Sequence, residues 1–135
     1  MIKKIISLML VCVISVFIFG STVSAVQITT YSLYTYSTSS KLMASQTTAV
    51  CTSTAIGYSG ETTKIVFNQT LQKKTSSGSW NNVDGWSKTV YSYKGSVSNT
   101  KQGISSGTYR LKTVFKVYAG SNFEEMTKYS TEQTI

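Results

Sequence analysis

The side chains of this 135-residue chain that could carry out catalysis or bind a metal are five carboxylates and two cysteines, because the chain has no histidine. A histidine-based triad and a histidine-ligated metal centre are therefore excluded. Glycosidic hydrolysis needs two carboxylates that face each other across a cleft. Glu124 and Glu125 are adjacent, so on a strand they point to opposite faces, and no spacing brings together any other pair among Glu61, Asp84 and Glu132. We expect no enzymatic activity, no cofactor and no metal site.

Cys51 is the only cysteine outside an apolar N-terminal run that contains Cys12. Without that run, the chain cannot form an internal disulfide. Cys51 lies in the middle of a predicted strand among small residues. It either pairs with a second chain or, as is more typical of such a position, behaves as a small buried hydrophobe.

Two tryptophans, Trp80 and Trp86, are candidates for binding carbohydrate. They are six residues apart, so on an unbroken strand they would share a face and could stack on sugar rings. The alternative is that at least one belongs to the core, where large aromatic side chains dominate. A bulge at Asp84-Gly85 would also place them on opposite faces.

Basic residues alternate along one predicted strand at Arg110, Lys112 and Lys116. Further lysines that could lie nearby are Lys64, Lys73, Lys74 and Lys88. Such a face would attract teichoic acids, anionic lipids or other polyanions. Alternatively, it is a solvated face or a charged edge that prevents aggregation. Nucleic acid is a weaker candidate because the chain has no basic-aromatic module such as an RNP motif.

The N-terminus has the pattern of a secretory signal peptide, residues 1–25. Lys3 and Lys4 precede the apolar run 5–20, and small residues end at Ala25, the predicted cleavage site. The alternative is an uncleaved anchor, but 16 residues are fewer than the roughly 20 that span a bilayer. Loss of the two lysines leaves 11 basic and 5 acidic residues, a net charge of +6. We expect a secreted protein, either free in the medium or associated with the cell envelope, with no transmembrane segment after cleavage.

The remaining chain predicts an all-β fold. Apolar alternation and turn residues indicate strands at 47–58, 62–74, 80–93, 96–102, 108–118 and 123–134, with a turn at Lys94-Gly95. Residues 26–44 lack a sustained apolar pattern and are predicted to be a flexible arm or an edge strand. Residues 45–135 are therefore predicted to form a single antiparallel β-sandwich of about six or seven strands.

The segment Ile104–Leu111, ISSGTYRL, resembles the turn-then-strand signature of immunoglobulin-like domains. The resemblance implies an immunoglobulin-like or fibronectin-III-like sandwich in which Tyr109 is the corner tyrosine, its hydroxyl bonding to upstream backbone. Leu111 would occupy the position of the second cysteine, and Trp86 that of the core tryptophan on the third strand. Because Cys51 has no partner, the likeness is to disulfide-free relatives.

Residues 62–134 also resemble small, uncharacterised secreted proteins of Gram-positive bacteria. The similar segments are LQKKT at 71–75, SW at 79–80, WSKTV at 86–90, GTYRL at 107–111 and KYS at 128–130. This resemblance implies export and a sandwich fold but does not indicate any particular activity. We expect a non-enzymatic module that binds an anionic polymer, a carbohydrate or a protein in the cell envelope. The alternative is a small cationic secreted effector or antimicrobial protein. The oligomeric state stays open.

Overall fold

A computed structural model describes residues 32–135 of the chain. The predicted signal peptide, its cleavage site and the first residues of the predicted arm lie outside this range. The described residues form eight strands: β1 Thr35–Ser45, β2 Thr48–Gly57, β3 Lys64–Lys74, β4 Trp80–Val90, β5 Lys94–Gln102, β6 Thr108–Ala119, β7 Asn122–Tyr129 and β8 Gln133–Thr134. The all-β prediction is confirmed for this part of the chain.

The strands form two antiparallel sheets that enclose a common core. The smaller sheet has the order β1-β2-β5, and the larger has the order β4-β3-β6-β7, with the short β8 paired to β6. Small inward side chains such as Ala49, Cys51 and Ala55 on β2 face bulkier ones such as Phe67 on β3 and Phe115 on β6. The prediction of an antiparallel β-sandwich is thereby confirmed as two antiparallel sheets packed face to face.

The core consists of two hydrophobic clusters. One contains Leu42, Leu71, Ile104, Tyr109 and Leu111, with Ala49 and Cys51. The other contains Ala55, Ile65, Phe67, Phe115 and Val117, and its two phenylalanine rings meet edge to face with centroids 5.5 Å apart. The alternation of β6 predicted from the sequence supplies large side chains to both clusters.

A row of hydrogen-bonded polar side chains lies between the two clusters. Thr113 is bonded to Ser40 at 2.9 Å and to Ser53 at 2.8 Å. Gln69, which is 2% exposed, donates to Ser53 at 2.7 Å and accepts from Asn99 at 2.7 Å. The row links β1, β6, β2, β3 and β5, so it ties both sheets together in the middle of the core. Buried polar groups are tolerated there because they satisfy one another.

Tyr109 forms the corner before β6. Its ring is 1% exposed, and its hydroxyl donates to the backbone oxygen of Ser105 at 2.7 Å, the bond that characterises a corner tyrosine. Gly107, two residues earlier, has φ 149°, a backbone conformation that residues with a side chain rarely adopt. Glycine is therefore favoured at this turn.

One turn prediction and one strand prediction are wrong in detail. Lys94 and Gly95 do not turn the chain: β4 ends at Val90, and both residues belong to β5. The last strand is also not continuous, because Ser130 interrupts it. The Ser130 hydroxyl accepts from the backbone nitrogen of Leu111 at 2.9 Å, so a side chain replaces a backbone oxygen in the ladder, and pairing resumes only in β8.

Glu124 anchors the first described residues to β7. Its carboxylate accepts hydrogen bonds from the Ser32 hydroxyl at 2.7 Å and from the backbone nitrogens of Leu33 and Tyr34 at 2.9 and 3.0 Å. Burial opposes ionisation of this carboxyl, but the hydrogen bonds outweigh it and hold the pKa of Glu124 below its ordinary value. A charged group that points inward from an edge strand also discourages edge-to-edge association.

We expect Glu124→Gln to lower the free energy of unfolding by about 1 kcal/mol at pH 7, since charged hydrogen bonds are lost from a partly solvated site. The folded-state pKa is depressed, so the stabilisation is fully present above the ordinary value of 4.5 and is lost as pH falls through the folded pKa. Urea unfolding of both proteins across a pH series measures this difference. Glu61→Gln, in an exposed turn, is the control. A difference that persists unchanged in acid would contradict the prediction.

Candidate binding face

The outward residues of the larger sheet bring the predicted basic residues together. On β6, Tyr109, Leu111 and Thr113 are buried, so Arg110, Lys112 and Lys116 point away from the core. The neighbouring strands add further cations and rings to this surface. We call it the cation–aromatic face, formed by Lys64, Lys74, Trp80, Arg110, Lys112, Lys116, Tyr118, Phe123 and Tyr129.

Arg110 lies between two aromatic rings at one end of this face. Its Cζ is 4.1 Å from the ring centroid of Trp80 and 4.3 Å from that of Tyr129. Its Nε donates to Gln72 at 2.9 Å, and its terminal amino groups have no hydrogen-bond partner among residues 32–135. Stacking and this bond orient the guanidinium plane, so the free amino groups can form a bidentate contact with a carboxylate or phosphate.

A second cluster of rings and cations lies towards the other end of the face. The rings of Tyr118 and Phe123 are 5.1 Å apart. Lys64 Nζ lies 4.2 Å from the Tyr118 centroid, and Lys116 Nζ lies 5.3 Å from that of Phe123. Lys116 also forms an ion pair with Glu125 at 3.2 Å. Cations here are held over ring faces that are themselves half exposed to solvent.

The face keeps an excess of positive charge after its ion pairs are counted. Lys74 is paired with Glu132 at 3.2 Å, and Lys116 with Glu125. Lys64, Arg110 and Lys112 have no carboxylate partner within the described part of the chain. Three unneutralised cations on one sheet face produce a positive potential that attracts polyanions.

The structure does not bring Trp80 and Trp86 together. Leu71 pairs with Asp84 but Gln72 pairs with Asn82, so Val83 is an extra residue and forms a bulge. Because of the bulge, residues on its two sides no longer follow one alternation, and Trp80 and Trp86 point to opposite faces of the sheet. Trp80 therefore joins the cation–aromatic face, with Lys74 Nζ 5.5 Å from its ring centroid.

Trp86 instead points inward and packs against the first core cluster, half buried. It lies on the fourth strand, not on the third as the resemblance implied. Two lysines expected near the basic face also lie elsewhere. Lys73 lies over the Tyr109 ring, its Nζ bonded to Ser105 at 2.6 Å, and Lys88 lies beside Trp86 at the open edge of the sandwich.

The carboxylates do not form a cluster with one another or with Cys51. Four carboxylates have different partners: Lys101 for Asp84, residues 32–34 for Glu124, Lys116 for Glu125 and Lys74 for Glu132. Glu124 and Glu125 point to opposite faces, as predicted. Cys51 is fully buried, and desolvation raises its pKa to about 12, so it is a poor nucleophile. No group of three potential metal ligands occurs within residues 32–135.

Sequence reasoning predicted Trp80 as a site residue but not the other three aromatic residues of the face, Tyr118, Phe123 and Tyr129. The signal was present in the β6–β7 hairpin. Ala119 pairs with Asn122 across a two-residue loop, and this register sets Tyr118 opposite Phe123 and Lys112 opposite Tyr129. Hairpin pairing applied to the turn at 119–122 would have found these neighbours.

No protein-family model matches this chain, and no curated protein shows significant similarity to it. The fold and the face therefore define a class only: a β-sandwich with a cationic, aromatic sheet surface. Within residues 32–135, no helix is long and apolar enough to cross a membrane.

Proposed function

We propose that this protein is an exported, non-enzymatic binding module of the bacterial cell envelope, and that its cation–aromatic face binds an anionic polymer. The observation that carries the proposal is Arg110, stacked between Trp80 and Tyr129 with its terminal amino groups free. Anionic groups spaced along a polymer could contact Arg110, Lys112 and Lys64 in turn, and rings between them offer apolar contact to the polymer backbone.

We also propose that the sandwich is immunoglobulin-like. Constant-type immunoglobulin domains place strands A, B, E and D in one sheet and C, F and G in the other. Strands β1, β2 and β5 against β3, β6 and β7 follow the division of A, B and E against C, F and G, whereas the fourth strand, β4, pairs with β3 in the second sheet. The Tyr109 corner before β6 supports this assignment. Export rests on the signal-peptide pattern that ends at Ala25.

The proposal is tested by co-sedimentation of residues 26–135 with Gram-positive cell walls, intact and stripped of teichoic acid. We expect binding to intact walls that falls after stripping and falls with salt, because the Debye length shrinks from about 10 Å at 0.1 M to about 3 Å at 1 M. Binding that resists both treatments would point to uncharged sugars. Absence of binding would overturn the proposal and favour a diffusible effector.

A further inference from the structure

A groove of about 610 Å³ lies at the open side of the sandwich, between β4 and β5. Each of these strands is the last in its sheet, so the groove opens directly to solvent. An ion pair between Asp84 and Lys101, 3.0 Å long, bridges the two strands at one end. At the other end Val90 packs on Gly95, where a Cβ would lie 3.1 Å from Val90 Cγ1. The groove is therefore short and bounded at both ends.

The core polar row fixes the orientation of Asn99 in this groove. The backbone oxygen of Cys51 can only accept, so the amide nitrogen of Gln69 must face it, at 3.2 Å. The Gln69 oxygen then faces Asn99, whose amide nitrogen donates to it at 2.7 Å. Asn99 consequently keeps its side-chain oxygen as an acceptor, and no described residue donates to it. A hydrogen-bond acceptor is thus held in place by contacts that reach the centre of the core.

Two other side chains complete the lining. Trp86 is anchored on its inner side by the first core cluster and is only half buried, which leaves apolar ring surface beside Val97. Lys88 is exposed and takes part in none of the three ion pairs of residues 32–135. The groove therefore combines an aromatic surface, a fixed acceptor and a free cation.

We propose that this groove binds a pyranose that carries an acidic group. The apolar face of the sugar ring packs on Trp86, a ring hydroxyl donates to the Asn99 oxygen, and the carboxylate or phosphate of the sugar contacts Lys88. The inference deepens the proposed binding role but concerns the inner edge of the sandwich, away from the cation–aromatic face. An extended peptide fits less well, because the Asp84–Lys101 bridge and Val90 close the path that a continuous strand would follow.

The test uses residues 26–135, which retain both sheets and every described strand. Trp80→Phe leaves Trp86 as the sole tryptophan, so its fluorescence reports on the groove. Short oligomers of galacturonic acid are titrated against galactose oligomers of equal length, and sugar phosphates form a third arm that separates the two acidic groups. We expect a saturable change in Trp86 emission with at least one acidic ligand, and at least about tenfold weaker binding of the neutral oligomer.

Lys88→Gln should weaken acidic-ligand binding by about tenfold and remove the preference over the neutral oligomer. Lys128→Gln, which removes the same charge from the exposed edge strand β7, outside both the groove and the cation–aromatic face, should leave the fluorescence response unchanged. Thermal unfolding of both variants should match the parent because both side chains are solvated. Equal response to neutral and acidic oligomers, no response to any of the three ligands, or a loss of affinity in Lys128→Gln as large as in Lys88→Gln would each overturn the inference. Wall binding that persists in Lys88→Gln would leave the proposed envelope function intact.

Discussion

Replacing Gln69 by leucine should lower the free energy of unfolding by about 2–4 kcal/mol, although the two side chains are similar in size. Leucine cannot donate to the Cys51 oxygen or to Ser53, and it cannot accept from Asn99. Each buried polar group left without a partner costs about 1–3 kcal/mol. Asn99 recovers part of this because it lines the groove, which opens to solvent. The loss is nevertheless large because three partners on the opposite sheet depend on one amide.

Urea unfolding monitored by tryptophan fluorescence measures this change. Gln102→Leu is the matched control, since Gln102 is exposed at the end of β5, and surface changes of this kind stay within about 0.5 kcal/mol. Equal stability of the Gln69→Leu variant and the parent would mean that the polar row adds nothing beyond packing. A larger loss than for the control, with an unchanged dependence on urea concentration, would support the role of Gln69 in joining the sheets.

Neutralising Arg110, Lys112 and Lys116 together, each to glutamine, should weaken binding to teichoic-acid-bearing walls by about 30- to 100-fold at low salt. A basic residue near an anionic surface contributes roughly 1 kcal/mol, and each 1.4 kcal/mol is tenfold in affinity. Lys116 contributes less than the others because Glu125 already neutralises it at 3.2 Å. Arg110 contributes more than charge alone, since its stacked guanidinium is preoriented.

The control removes the same three charges elsewhere, at Lys41, Lys94 and Lys128, which are all exposed. If net charge alone attracts the polymer, both triple variants lose affinity equally, and the cation–aromatic face has no special role. If the face is the binding surface, only the first variant loses affinity, and its residual binding depends less on salt. Co-sedimentation across a salt series distinguishes these outcomes.

How far the fold could be predicted is clearest at β6 and β1. The alternation Tyr109, Leu111, Thr113, Phe115, Val117 identified β6 and its buried face, because a strand with one face in the core must alternate. β1 gave a weak signal since it buries little beyond Thr35 and Leu42, so its place at the sheet edge could not be predicted from a pattern. Lys94-Gly95 is typical of a turn, but Gly95 lies in β5 and packs against Val90 at one end of the groove.

The amino-acid sequence alone determined the excluded chemistries and the local alternation that puts Arg110, Lys112 and Lys116 on one side of a strand. Both depend only on composition and on the period-two geometry of extended backbone. The tertiary structure decided which strands are neighbours, and so placed Arg110 between Trp80 and Tyr129. It also decided that Trp80 and Trp86 face opposite ways, because one extra residue at Val83 reverses the facing of every residue beyond it. Such choices depend on long-range pairing and register, which local periodicity does not encode.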